Sequence, residues 1–523
     1  MNPLKSIIAR FDSVKNTLNS RYWEYTKYYE DGEVWENTFL FESFGGASFQ
    51  GNPYYIYKEL LKRPDSNNFR IYISAKDPEG IRRSLTERDL CPDHVFIIKI
   101  HSDEYRKVLS HAKYLVNNVS FTMDFIKKDE QVYLNTWHGT PLKTLGRTVH
   151  GDPFAVANGQ RNYMIADYLL APNALTKKVY EQDYMVHDIM PGELVLGGYP
   201  RNSVFFDSKV RRSAKDKYNL QGYKTIFYMP TWRGTACGVD KVDQVSDIEK
   251  LAKELGDSYK VFVKFHPAME KTSGNFEYCY NMPEDIEVYE FLNAMDILIT
   301  DYSSVFFDFA STGKKIVLYQ YDREEYYQSR GVYKEAEDKL NFPIAYHFDQ
   351  LLEYVTAEDY PDYSVFTQEF CPFDSIHSAK EALELLLNHQ NQQQECEPVD
   401  LYVFDAPISD KDILALKDKL SGTNFRFVFV LNRRSQSYSG VKSWSELDYL
   451  SINTYNRLSY SEKLSRVFLA LFRTRKAKKK LEYYGNRERK RLWGNMRVSK
   501  VYSRSTPHLL PVALRYVAEQ RNF

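Results

Sequence analysis

The sequence predicts an α/β chain built as two successive halves with a cleft between them, and three observations carry that prediction. Short β-prone runs alternate with helix-length segments from Thr38 to Tyr319, the spacing that parallel crossovers need. Many of those runs end in a short polar or glycine-bearing tip, as strands do at the mouth of a parallel sheet. At 523 residues the chain is too long for one ordinary core, and 43% hydrophobic and 15% aromatic content can fill several.

Residues 1–34 are read as an amphipathic helical segment. Leu4, Ile7, Phe11, Val14, Leu18 and Tyr22 recur at steps of three or four, with Lys5, Arg10, Lys15 and Arg21 among them. Such a helix either docks on the domain behind it or lies in the plane of a membrane. Residues 35–210 make the first half, with strands expected at 38–41, 69–74, 94–99, 114–117, 131–135 and 168–171, and the stretch 194–202 closes it. The first of these runs into the loop Ser43-Phe44-Gly45-Gly46-Ala47-Ser48. Residues 211–390 make the second half, with strands expected at 225–229, 260–264, 286–288, 297–300 and 316–319. The Asn/Gln/Glu-rich stretch 388–397 reads as a linker. Residues 398–523 follow as a small β-α-β appendage (401–404, 411–420, 426–431) and a basic tail centred on 473–491.

The formal net charge of +0 conceals an asymmetry, because residues 457–523 hold 18 Lys/Arg against 4 Asp/Glu. Segregated positive charge suits an anionic membrane surface or a polyanion. No RNA- or DNA-reading module matches, so nucleic acid is not the expected partner. Five scattered cysteines without CxxC spacing read as reduced thiols and suggest no zinc site. The amino terminus lacks the apolar core of a signal peptide, and no run approaches the roughly 20 apolar residues that cross a bilayer. The expectation is a cytoplasmic protein with any membrane contact peripheral.

The most informative stretch is Tyr133 to Gly146, YLNTWHGTPLKTLG. His138 stands just past an apolar, β-prone run, where an α/β sheet places its ligands. Gly139 removes a side chain that would block close approach, and Lys143 offers a point charge suited to phosphate. A histidine packed in an ordinary loop is the alternative. Three further tips share the pattern in the second half: Arg233 after MPTW, His266 in KFHP, and Thr300-Asp301-Tyr302-Ser303-Ser304 ahead of an apolar helix. Hydroxyl residues at a helix start can hold an anion or simply cap the helix. Two histidines, an arginine, a lysine and a hydroxyl-rich tip in one crevice suit a diphosphate. No DxD-like cluster is present for a metal, and no cofactor is called for, so charge neutralisation would fall to these side chains.

HGTPLKTLG, GYPRN, MPTWR, KFHP and TDYSSVFFDFA, in this order and spacing, resemble the CDP-glycerol glycerophosphotransferase family, the bacterial teichoic-acid and capsule primases and polymerases. FESFGGASFQGNP (41–53) is similar to the family's amino-terminal loop. The resemblance spans roughly 38–390 and departs at Ser203, where the family often has Asp. It implies two Rossmann-like lobes of the glycosyltransferase-B type, the first for the acceptor and the second for the nucleotide. It implies transfer of a polyol phosphate from a CDP-polyol to a hydroxyl of a lipid-linked or polymeric acceptor, with release of CMP, by a protein docked peripherally on the inner face of the cell membrane. In that scheme His138 is the general base. His266, counted with it as catalytic, holds the diphosphate together with Ser303 and Ser304. Gly139, Thr140, Lys143, Arg233, Thr300 and Asp301 complete the substrate-binding set. Glycerol or ribitol, one unit or many, and the number of subunits stay open. A nucleotide-sugar transferase on the same architecture and an inactive scaffold are the rival readings.

Overall fold

Among the described residues, the strands pair into three sheets, and every strand pairing within them is parallel. The computed structural model describes residues 25–149, 154, 156–231, 244–265, 276–390, 396–404, 408–431, 441–453, 475–503, 514 and 519–521. Of the expected amphipathic segment only the helix Tyr25–Glu30 falls within these, and Tyr25 anchors it by donating to the Ile126 carbonyl at 3.2 Å. The apolar steps from Leu4 to Tyr22 lie outside the described residues.

The first sheet contains β1 (Trp35–Glu42), β2 (Arg70–Ala75), β3 (Val95–Lys99), β4 (Ala112–Asn117), β5 (Val132–Asn135), β6 (Tyr168–Ala171) and β7 (Glu193–Leu196), in the order β3-β2-β1-β4-β5-β6-β7. Strand order reverses between β1 and β4, which opens a crevice at their carboxyl ends. All four residues of β5 are buried, as expected of a strand covered on both faces. The second sheet contains β8 (Lys224–Tyr228), β9 (Tyr259–Val263), β10 (Tyr280–Asn281), β11 (Ile297–Thr300), β12 (Lys315–Tyr319) and β13 (Ile344–Ala345). Its order is β10-β9-β8-β11-β12-β13, so its own switch point lies between β8 and β11.

The expected strands therefore stand within a residue or three of the observed ones, with one exception. Residues 286–288 are not a strand: Glu287 caps the helix Val288–Ala294, its carboxylate accepting from the Tyr289 and Glu290 amides. The three residues Ile-Glu-Val alternate only once, which cannot distinguish a strand from the start of a helix. The strand on that edge is the two-residue β10 instead.

The appendage is larger than a β-α-β unit. It is a five-stranded sheet of β14 (Val399–Phe404), β15 (Phe425–Leu431), β16 (Tyr449–Asn453), β17 (Val498–Ser503) and β18 (Glu519–Arg521), ordered β16-β15-β14-β17-β18. It is bound to the first layer by polar contacts: Arg147 to Asp448 at 2.6 Å, Gln160 to the Tyr449 carbonyl at 2.8 Å, and Arg426 to the His187 carbonyl at 2.7 Å.

The expected basic tail is largely the helix Arg475–Trp493, whose second half packs on the helix Ala157–Ile165. Arg487 pairs with Glu30 at 2.6 Å, Lys490 with Asp129 at 2.7 Å, and Arg491 with Glu488 at 3.0 Å while also reaching the Met123 carbonyl. Charge alone does not reveal this, because Leu492 and Trp493 seat the helix in the core and Arg487, Glu488 and Arg491 are buried and paired beside them. Arg475, Lys479 and Lys480, at the other end, are exposed.

A second long-range link is the helix Ser378–Leu387, which leaves the second sheet and packs against the helix Asn52–Lys62 of the first. Removing the ring of Trp493, which is 3% exposed, should leave a cavity between brace and first layer. Trp493→Ala is expected to cost about 3–5 kcal/mol in reversible denaturant unfolding; a loss under about 1 kcal/mol would contradict the bracing role.

Candidate active site where two sheets meet

The loop after β5 turns on its last residue. The Asn135 carboxamide accepts from the Trp137 amide at 3.0 Å and donates to the Val119 carbonyl at 3.0 Å. Trp137 then takes a left-handed backbone, φ 53°, which costs a bulky residue about 1–2 kcal/mol. Its surroundings hold it there. The indole packs among Tyr163, Tyr180 and Tyr184, with ring centroids 5.7, 6.4 and 6.2 Å away. Its carbonyl accepts from the Asn52 carboxamide at 3.1 Å.

His138 comes next, its imidazole 4.1 Å from the Trp137 ring and edge-on to Phe44 at 6.2 Å. Phe44, from the loop after β1, is itself left-handed at φ 48°. Burial between these rings, and then the charge of Arg201, lower the His138 pKa to about 4, against an opposing backbone hydrogen bond with Asn118. The ring is therefore neutral at pH 7. Its Nδ1 is buried and has no hydrogen-bond partner among the described residues.

The second tip is tied down from within. The Thr300 hydroxyl donates to the Met229 carbonyl at 2.6 Å. The Asp301 carboxylate accepts from the Thr231 amide, at 2.9 and 3.0 Å to its two oxygens, and from the Thr231 hydroxyl. These bonds lock the ends of β8 and β11 together across the switch point. Ser303 and Ser304 remain partly exposed ahead of the helix Val305–Ala310. Ser304 makes no side-chain capping bond, and Ser303 accepts only a long one, 3.5 Å, from the Val305 amide. Capping therefore does not account for both hydroxyls.

The two tips touch. A Cβ added to Gly139 would lie 2.2 Å from the Ser304 Oγ and 2.8 Å from its Cβ. Beneath this contact lies Arg201, 2% exposed, which donates to the His138 carbonyl at 2.8 Å and to Asp308 at 2.6 Å. Asp308 also accepts from Tyr289 at 2.7 Å and Asn202 at 3.2 Å, and Asn202 donates to Asp374 at 2.7 Å. A strap on the far side joins the same loop to the second layer: the Tyr333 amide donates to the Leu142 carbonyl at 2.8 Å, and the Thr144 hydroxyl to the Arg330 carbonyl at 2.9 Å. Lys143, on this strap, holds its ammonium 5.5 Å from the Tyr326 ring, which stacks on Tyr302 at 3.7 Å. Beside the junction a cavity of about 530 Å3 opens between the layers, lined in part by Gln50, Arg88, Lys264, Phe265 and Glu284.

His138, Gly139, Ser303 and Ser304 thus converge on one junction, and Lys143 lies on the strap at its edge. Thr140, Thr300 and Asp301, expected in the substrate-binding set, have buried side chains bonded within the protein. Thr140 is buried and accepts from Asn173 at 2.8 Å, and Thr300 and Asp301 are buried and bonded as described. Hydroxyls and carboxylates at strand ends satisfy neighbouring backbone as readily as a substrate, and these hold the tips in shape. Arg233 and His266 lie outside the described residues. Sequence reasoning missed Arg201, Asn202, Asp308 and Asn52. One signal was available: Asp308 sits inside the apolar run VFFDFA, where a carboxylate must be paired to be buried.

With the geometry in place, the comparisons are specific. The chain belongs to the CDP-Glycerol:Poly(glycerophosphate) glycerophosphotransferase family, whose model matches residues 27–388. It is 30% identical over 334 residues to a teichoic acid poly(glycerol phosphate) polymerase of Staphylococcus epidermidis, covering 60% of this chain and 44% of that one. It is 29% identical over 376 residues to the polymerase of the same description from Bacillus spizizenii, covering 67% of this chain and 92% of that one. The match thus spans less than half of the first relative and nearly all of the second. Among solved structures, the wall teichoic acid polymerase TagF, in a variant soaked with CDPG, superposes with a TM-score of 0.62 at 27% identity, covering 74% of this chain and 98% of that one.

The contact between the tips generates a compensation test. Gly139→Ala is expected to destabilise by about 1–3 kcal/mol through overpacking against Ser304. Adding Ser304→Gly should restore the overpacking part of that loss in chemical unfolding, leaving the backbone strain at φ 158°, and no restoration would contradict the contact.

Proposed function

We infer that this chain transfers a polyol phosphate, glycerol phosphate foremost, from a CDP-polyol to a hydroxyl of a lipid-linked or polymeric acceptor in teichoic acid or capsule synthesis. The observation that carries the reading is the neutral, half-buried imidazole of His138, one residue from the point where the two tips touch. Family membership supports it, as does the likeness to a polymerase whose structure was obtained with CDPG. In this reading the fold is of the glycosyltransferase-B type, with residues 35–210 as the acceptor lobe and 211–390 as the nucleotide lobe. The return of the helix Ser378–Leu387 onto the first layer favours that arrangement.

The chemistry follows from the parts. Neutral His138 takes the proton of the acceptor hydroxyl. The oxygen bonds to the β-phosphorus, the bond from that phosphorus to the bridging oxygen breaks, and CMP leaves with the electron pair. Phosphoryl transfer of this kind depends mainly on positioning and charge stabilisation. The hydroxyls of Ser303 and Ser304 and the amides of the helix they precede hold the diphosphate, with His266 and Arg233 as further cationic or hydrogen-bonding groups. Lys143 adds charge at the edge of the junction.

The acceptor places the work at the cytoplasmic face of a membrane, and docking there is assigned to the exposed end of the basic helix. No helix among the described residues is long and apolar enough to cross a bilayer. Each of Arg475, Lys479 and Lys480 would contribute about 1 kcal/mol near anionic lipid. Reversing all three to glutamate should abolish flotation with anionic liposomes and leave the fold intact; undiminished flotation would remove this end of the helix as the anchor.

The activity is tested by incubating purified protein with CDP-glycerol, CDP-ribitol or a UDP- or GDP-sugar and a synthetic lipid acceptor, and reading nucleotide release and product mass. CMP release with a polyol-phosphate-extended product is expected, and turnover of a nucleotide sugar alone contradicts the reading. His138→Ala should lower turnover ~10²–10⁴-fold while leaving donor binding in place. Because the active form of the base is the deprotonated one and its pKa is depressed to about 4, kcat/KM should hold as pH falls through 6 and fail only as pH nears 4. An acid limb at an ordinary histidine value near 6.5 would contradict that environment.

A further inference from the structure

We propose that the buried pair Arg201–Asp308 is a positioning element that sets the base-bearing loop against the Ser303-Ser304 tip. The inference rests on the reading of His138 as the base and goes beyond it, because neither residue belongs to the substrate-binding set. Both residues are 2% exposed, and taking two ions out of water costs several kcal/mol each before their attraction is counted. The surroundings make good that cost in an unusually directed way. One Arg201 nitrogen donates to the carbonyl of His138 itself, at 2.8 Å, and another to Asp308 at 2.6 Å. Asp308 lies in the helix that starts directly after Ser304.

The guanidinium is thus a rigid planar link with the base's own peptide at one end and the anion-suited helix at the other. Its plane is held by Tyr199 and Tyr289, whose ring centroids lie 4.8 and 4.9 Å from it. Its backbone amide donates to Asn52 at 3.2 Å, and Asn52 also bonds the Trp137 carbonyl. Every bond on this path fixes the residue before, at or opposite His138. A buried ion pair adds little net stability over apolar side chains of similar size, so the selectable property is orientation. An error of about 1 Å between base and phosphorus is enough to cost 10²-fold in rate.

The test separates orientation from stability. Arg201→Met with Asp308→Leu replaces the pair by apolar groups, and Arg201→Lys keeps the charge but loses the fork. Turnover with CDP-glycerol, donor affinity by calorimetry and unfolding midpoints are measured for both, with His138→Ala alongside. The apolar pair leaves the Tyr289 hydroxyl and the His138 carbonyl without these partners, so its midpoint should fall below the parent's. Assayed where it is folded, it should bind donor within about threefold and lose about 100-fold in kcat. Arg201→Lys should lose about tenfold in kcat with donor KM little changed. If the folded apolar pair, or Arg201→Lys, turns over like the parent, the positioning role is overturned while the base assignment stands. If His138→Ala turns over like the parent, the base assignment falls and this inference with it.

Discussion

The constraint on which the site depends is the contact of Gly139 with Ser304, a packing so close that a single methyl group has no room. Two parallel sheets each open a crevice where their strand order reverses, but a crevice by itself brings no chemistry. Chemistry needs the two crevices to face each other at a fixed distance. The missing side chain at 139 allows the loop after β5 to lie directly on the tip after β11, with Arg201 beneath holding a carbonyl on one side and a carboxylate on the other. The strap through Leu142 and Tyr333 closes the same joint from the other edge. Left-handed backbones at Trp137 and Phe44, on either side of the imidazole, mark where the structure accepts local strain to present one ring.

The rest of the chain steadies that joint. The helix Ser378–Leu387 ties the second sheet back to the first, and the carboxyl-terminal sheet and its long helix clamp the segment that continues from the His138 loop. Positive charge in that helix divides along its length. One end is neutralised by Glu30, Asp129 and Glu488, and the other is left in solvent. On the proposed reading the same helix braces the acceptor lobe and offers a cationic end to a membrane. Burial of the joint also sets its electrostatics. Asp374, behind Asn202, is pushed up to about 6 by burial, where a buried carboxylate beside Asp308 has little water to stabilise it.

Much of this was readable in the residues, for physical reasons that differ by element. Strands such as 168–171 and 297–300 were placed to the residue because buried parallel strands are continuous apolar runs bounded by polar tips. Residues 286–288, Ile-Glu-Val, are misplaced because one apolar-polar-apolar step is too short to carry a period. The five-stranded carboxyl-terminal sheet was underestimated because β16 and β17 mix polar and apolar residues without clear alternation. In the site, His138, Gly139 and the serines announced themselves by standing at strand ends. Thr140, Thr300 and Asp301 stood there too, yet face inward, since sequence gives the position of a side chain but not which neighbour claims it. Arg201 was invisible as a link because its two partners are 63 and 107 residues away.

The most direct measurement is a crystal structure of this chain with CDP-glycerol bound and an acceptor analogue present. The diphosphate is expected on the Ser303-Ser304 tip, with the acceptor hydroxyl within hydrogen-bond reach of the His138 ring and in line with the β-phosphorus. A diphosphate bound away from that tip, or a His138 ring with no path to the attacking oxygen, would contradict a single catalytic junction between the two sheets.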